Sequence, residues 1–193
     1  MKRDRDSELI QRIARNDSEA LEELMKAYQK PLFATALRLL GEEAEAEDVI
    51  QETFLSVWRH AADFRAESSV RSWLYRIALN KSRSVWRWKN IRRFLSFSWS
   101  PNSAEGCPTL EESLEDKSIR ASPEGAAVTE ERSRAVRRAV EALPTRLKEI
   151  VLLRCDGMEL EEIARVTGLA VGTVKAHLFH ARERLGPLLG DTP

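Results

Sequence analysis

A chain of 193 residues suffices for one ordinary domain or two small ones, and its 42% hydrophobic and 32% charged residues supply a core and exclude wholesale disorder. The 31 basic and 31 acidic side chains cancel overall but not locally: residues 1–95 are net +3, residues 96–131 net −6 and residues 132–193 net +3. No apolar run approaches the roughly 18 residues of a membrane span, the charged opening Met1–Asp6 is no signal peptide, and Cys107 and Cys155 form no metal-spaced pair and suit a reducing cytoplasm better than a disulfide scaffold.

Hydrophobic spacing is helical nearly everywhere, and no segment alternates as a half-buried strand would, which predicts an all-α fold. Leu21, Leu24, Met25, Tyr28 and Leu32 recur at three- and four-residue steps. Asn16 with Glu19 reads as a capping box before them. Pro31 is expected to kink or restart that helix, and Gly41 separates it from the next. There Ile50, Phe54, Val57 and Trp58 share one face, while Asp48, Gln51 and Glu52 stand at i, i+3 and i+4 on the other. Acids and amides in that arrangement are either solvated surface or a protein-docking face.

Ser68 or Ser69 suits the cap of a further helix that buries Val70, Leu74 and Ala78. From Arg71 to Arg93 this stretch holds eight basic residues, no acid, and the aromatics Trp73, Tyr75, Trp86 and Trp88. Arg76, Asn80, Arg83 and Arg87 form one stripe. Cations interleaved with rings suit single-stranded or melting DNA, where charges hold phosphates and rings stack on bases at about 1–3 kcal/mol each. Trp73 has a second reading as core beside Ile77, since an indole serves either role.

Helical signal fades over residues 96–122, which are rich in Ser and Glu, are punctuated by Pro101, Gly106 and Pro108, and read as an acidic flexible linker. Its aromatic opening, Phe94 to Trp99, is expected to pack back on the first domain. Ser122-Pro123 restarts helix. After Pro144 a short helix carries Leu147, Ile150 and Val151 and ends near Gly157. Then Ile163 and Ala164 lie on one short helix, Thr167-Gly168-Leu169 forms a tight turn, and Val174, Leu178, Ala181 and Leu185 recur on the next. This is a helix-turn-helix pattern, whose second helix fits a DNA major groove. Its outer face carries Thr173, Lys175, Ala176, Phe179, His180 and Arg182, with Lys and Arg suited to phosphates and the rest to base edges.

Three features in this order resemble a bacterial sigma factor of the extracytoplasmic-function (ECF) group. The matching strings are Ala46-Glu-Asp-Val-Ile-Gln-Glu-Thr-Phe-Leu-Ser-Val-Trp58, Phe64-Arg65, Ser72-Trp-Leu-Tyr-Arg-Ile-Ala-Leu-Asn80, Ala142-Leu-Pro144 and Val171-Gly-Thr-Val-Lys175. The resemblance implies two small helical domains joined by the linker. Residues 1–95 would bind polymerase and melt the minus-ten promoter element; residues 123–193 would read the minus-thirty-five element as duplex. Asp48, Gln51 and Glu52 then match positions docking on the β′ coiled coil, and the second domain is expected at the β flap. Phe64, Arg65, Trp73, Arg76, Asn80, Arg83 and Arg87 fall to the melted element. Asn80 and the loop from Asp63 to Ser69 match the region receiving a flipped base.

Thr173, Lys175, Ala176, His177, Phe179, His180 and Arg182 fall to the duplex. The linker's acids, Glu111, Glu112, Glu115 and Asp116, are expected to mimic a nucleic-acid path through the polymerase. The expected partners are core RNA polymerase, promoter DNA and an anti-sigma factor, with no membrane insertion, no cofactor and no catalytic centre. Two departures stand out. Glu159 sits where the family usually opens the turn motif with Ser, and His177 and His180 sit where Arg is common. His177 and His180 at i, i+3 find no third metal ligand. Two rivals remain: a helix-turn-helix regulator of operator DNA acting without polymerase, and a nucleic-acid enzyme, which no nucleophile–base pair or phosphate-binding Gly loop supports.

Overall fold

The first helix ends because its chain turns left-handed at Asn16. The computed structural model describes residues 2–99, 138–140 and 142–189, and in it α1 (Lys2–Ile13) buries Leu9, Ile10 and Ile13 before Asn16 adopts φ 63°. That turn moves the next cap by one residue. Asp17, not Asn16, opens α2 (Ser18–Leu40): its carboxylate accepts from the amides of Glu19 at 3.0 Å and Ala20 at 3.1 Å. The Arg12 guanidinium donates to the same carboxylate at 2.8 Å and, with the Ala20 amide, holds it below its ordinary pKa.

Pro31 neither breaks nor restarts α2, which runs unbroken to Gly41 at φ 79°. A mid-helix proline costs about 3 kcal/mol. Beyond it lie Leu32, Thr35 and Ala36, all buried, and one fully buried leucine alone returns about 1.5–3 kcal/mol. The proline itself faces solvent.

α3 (Glu43–His60) lays Ala46, Val49, Ile50, Phe54 and Val57 against α2, and a single 3-10 turn, Ala61–Asp63, leads out of it. Ser69 caps α4 (Val70–Trp99) by accepting from the Ser72 amide at 3.2 Å. α4 packs on both α2 and α3 through Val70, Leu74, Tyr75, Ala78 and Leu79. Helix thus continues four residues past the start of the predicted linker. The rest of that linker, its four acids and Cys107 lie outside the described residues, as do the side chains of the aromatic run from Phe94.

Residues 138–140 are helical and Pro144 precedes α5 (Thr145–Cys155). Gly157 at φ 77° turns the chain towards α6 (Leu160–Thr167), and Gly168 at φ 74° towards α7 (Val171–Leu189). Only glycine takes that backbone without strain. Among the described residues every regular element is a helix, as the periodicity predicts.

Two cores form. A small one joins Leu143, Leu147 and Val151 to Ala181 and Leu185, holding α5 on α7. The larger runs continuously from α1–α4 into the second lobe, where Ile150, Leu153, Met158, Ile163, Ala164, Val166 and Val174 join it. The helix-turn-helix lobe is therefore seated on the first lobe, with α5 against α2 and α6 against α4.

Candidate nucleic-acid and polymerase interfaces

α3 has its core face fixed by five apolar side chains, which forces Asp48, Gln51 and Glu52 outward, and all three are exposed. Leu55 extends the same stripe one turn on and is 46% exposed, a large apolar side chain left in water. Its place one turn beyond the acid-amide cluster hides it from the spacing of the polar residues. Glu52 accepts from Lys81 on α4 at 2.9 Å, which holds its carboxyl below the ordinary range. Acid, amide, acid and leucine in one row can dock a helical partner with a basic rim.

α4 presents the basic stripe. Arg76, Asn80 and Arg87 are exposed, and Arg87 donates to the Ser84 hydroxyl at 3.2 Å. Arg83 is different. One of its nitrogens donates to Asn80 at 3.2 Å, while Nε and Nη2 donate to the two oxygens of Glu149 on α5 at 2.8 and 2.7 Å. The stripe is thus intact as a row, but its third member is engaged across the lobes.

Trp73 keeps both of its sequence readings. It is half-buried against Phe64, ring centroids 5.0 Å apart, and with Ile77, Ser56, His60 and Asp63 it lines a cleft of about 300 Å³. The cleft has an indole wall and polar side chains from α3 and the 3-10 turn, features suited to a stacked base. Arg65 beside it is exposed, and Ala66 holds φ 55°, a non-glycine in the left-handed region within the same loop. Asn80 lies outside the cleft lining. Further along α4, Trp86, Trp88 and Ile91 are 42%, 64% and 51% exposed.

The helix-turn-helix forms as expected. Val174 and Ala181 are buried and Leu178 half-buried, so Thr173, Lys175, Ala176, Phe179, His180 and Arg182 all face solvent, with His177 half-buried. Phe179 is 62% exposed and meets His180 edge-on at 6.0 Å. His180 also stands 3.2 Å from the Glu183 carboxylate. Glu159 precedes α6 with no side-chain cap bond, leaving only its charge beside the helix dipole. No group of three or more His, Cys, Asp or Glu is placed to hold a metal among the described residues. Cys155 is exposed and free. No helix of the described residues is long and apolar enough to cross a membrane.

A second set of residues escaped the sequence analysis because each looked like ordinary surface. The Asp156 carboxylate accepts from Thr35 at 2.7 Å and Tyr75 at 3.0 Å, and its backbone carbonyl accepts from Arg71. Burial, reinforced by Asp156, pushes the Tyr75 hydroxyl up to about 12. Glu162 accepts from the Ser69 hydroxyl at 3.1 Å and the Ser72 hydroxyl at 3.4 Å. Glu149 alone carried a signal: an acid between Leu147 and Ile150, on a face otherwise apolar.

Comparison with known proteins covers both lobes. The family model for Sigma-70 region 2 matches residues 24–92, and that for Sigma-70 region 4 matches residues 133–185. The chain is 32% identical over 187 residues to the RNA polymerase sigma-H factor of Pseudomonas aeruginosa, covering 96% of this chain and 94% of that protein. It is 31% identical to the ECF RNA polymerase sigma-E factor of Escherichia coli K12, covering 93% and 92%. Among solved structures it resembles CnrH in complex with the cytosolic domain of CnrY, with TM-score 0.67, 26% identity and 97% and 99% of the two chains covered. The sigma factor RpoE, solved with the anti-sigma factor NepR from Bartonella quintana, shares the fold at TM-score 0.65, with 24% identity and 89% and 98% covered. The chain is a bacterial RNA polymerase sigma factor and belongs to the ECF group.

Proposed function

We propose that the chain binds core RNA polymerase and gives it promoter selectivity. Residues 1–95 serve to dock and to melt the minus-ten element, residues 96–122 to connect, and residues 123–193 to read the minus-thirty-five duplex. Asp48, Gln51 and Glu52, with Leu55 beside them, dock on the β′ coiled coil. Phe64, Arg65, Trp73, Arg76, Asn80, Arg83 and Arg87 act on the melted strand, with the Trp73 cleft as the place for an unstacked base. Thr173, Lys175, Ala176, His177, Phe179, His180 and Arg182 face the duplex. The factor works in the cytoplasm and has no catalysis of its own; an anti-sigma factor restrains it.

One observation carries this reading: a chain with an exposed recognition helix also leaves an acid-amide-leucine stripe bare on α3. A regulator binding only operator DNA has no use for that stripe. The test is transcription in vitro on a genomic DNA library, with core polymerase with and without this protein. Selective start sites are expected with it. Changing Asp48, Gln51 and Glu52 together to Ala should weaken polymerase binding by about tenfold or more and leave duplex binding intact. Absence of any selective initiation refutes the proposal.

A further inference from the structure

The outer face of α7 carries a side chain whose hydrogen-bonding sense is set by its neighbours. Thr173, Ala176 and His180 are exposed and stand at i, i+3 and i+7, so they form one row along the helix. The first two are small and let the backbone come close to a groove floor. The His180 ring is held from two sides. Its Nδ1 lies 3.2 Å from a carboxylate oxygen of Glu183, three residues on, and Phe179 meets the ring edge-on with centroids 6.0 Å apart. The side chain is still 64% exposed.

A carboxylate has no hydrogen to give, so the hydrogen in the first contact sits on Nδ1. In a neutral imidazole the other nitrogen is then bare, and Nε2 accepts. Bases differ in what they offer an acceptor in the major groove. Adenine presents the N6 amine and cytosine the N4 amine, whereas guanine presents only the acceptors N7 and O6 and thymine O4 and a methyl. Lysine and arginine, which only donate, pair best with guanine. A histidine with Nδ1–H engaged has the opposite preference.

We propose that His180 is a specificity-determining residue: Nδ1–H donates to Glu183, and Nε2 accepts from the exocyclic amine of an adenine or cytosine on one strand, so that guanine is disfavoured at that position. Glu183 is its positioning residue. Without that carboxylate the ring can carry its hydrogen on either nitrogen, and the preference relaxes. The inference rests on the reading that α7 faces promoter duplex.

The test uses the full-length chain with core polymerase at about pH 8, above the ordinary imidazole range. The probes are promoter duplexes recovered from the genomic library, with each of the four base pairs placed in turn at every position of their upstream half. At one position the native chain should initiate about fivefold better with adenine or cytosine on one strand than with guanine, the share of a single hydrogen bond. His180→Arg should reverse that preference, His180→Ala should abolish it, and Glu183→Ala should narrow it to about twofold or less. Purine in place of the adenine, or 2-pyrimidinone in place of the cytosine, removes only the amine. That should cost the native chain the same fivefold and His180→Ala nothing. Identical base profiles for the native chain and both His180 variants overturn the proposal, as does a native preference for guanine at the position that His180→Arg alters. A native profile in Glu183→Ala overturns the positioning role. Each of these failures leaves selective initiation by the native chain intact; its absence overturns the function proposed above, and this inference with it.

Discussion

Removing either partner of the Arg83–Glu149 pair should destabilise the chain, but not equally. At 2.7–2.8 Å two unit charges attract by roughly 6 kcal/mol at an effective dielectric constant of 20. Desolvation takes back most of this. What remains visible is the cost of stranding the survivor. In Arg83→Ala the survivor is Glu149, 1% exposed and left with only Arg146 at 3.4 Å. In Glu149→Ala it is Arg83, 21% exposed, whose long stem carries the charge to water. Truncating a fully buried pair costs about 3–5 kcal/mol. Partial exposure and Arg146 reduce this to about 2 kcal/mol for Arg83→Ala and about 1 kcal/mol for Glu149→Ala. Losing 2 kcal/mol should lower the melting temperature by roughly 4–8 °C for a chain of this size. Calorimetry on the wild type, both single variants and the double variant yields the coupling, expected at about 1–2 kcal/mol. Additivity within about 0.5 kcal/mol, or a greater loss for Glu149→Ala, refutes this reasoning.

Lys175→Ala should weaken duplex binding and lower the salt-dependence slope by about 0.9, one phosphate's share, measured by anisotropy across a salt series. Gly168→Ala should cost about 1–2 kcal/mol from backbone strain alone, since a Cβ there meets nothing within 4 Å; chemical denaturation checks it. The chain's two tyrosines should both resist ionisation near their ordinary value of about 10 in a near-ultraviolet titration. Tyr28 is raised by burial and by its bond to Asp6, and Tyr75 to about 12. A raised tyrosine value means stability fully present below the unfolded pKa and lost as pH climbs through the folded one, so alkaline unfolding should set in near pH 12, and a tyrosine ionising near 10 in the native chain would contradict the burial.

The helices, and which sides of α3 and α7 face outward, were legible because their signals are periodic. Val174, Leu178, Ala181 and Leu185 fix which side of α7 is buried, and the outer residues follow. Asp48, Gln51 and Glu52 were legible as an exposed face, and the ECF resemblance supplied the docking role proposed for it. The cap at Asp17 was missed because a left-handed Asn16 moves the helix start by one residue, which no spacing rule encodes. The restart expected at Pro31 does not occur, because burial beyond it outweighs one lost rung. The seating of the second lobe on the first was invisible: Asp156 and Glu162 meet their partners across 81 to 121 and 90 to 93 residues of chain, and each is unremarkable in its own helix or turn.

The hydroxyl of Thr35 lies 2.7 Å from Asp156 and also 3.0 Å from the carbonyl of Pro31 in its own helix. It owns a single hydrogen and can satisfy just one of them at a time. Should Asp156 withdraw, the proton has somewhere to rotate within α2, so this point on the seam can part without orphaning a donor. The Tyr75 hydroxyl donates to the same carboxylate at 3.0 Å. The threonine thus holds the second lobe by a bond it can exchange for one inside its own helix.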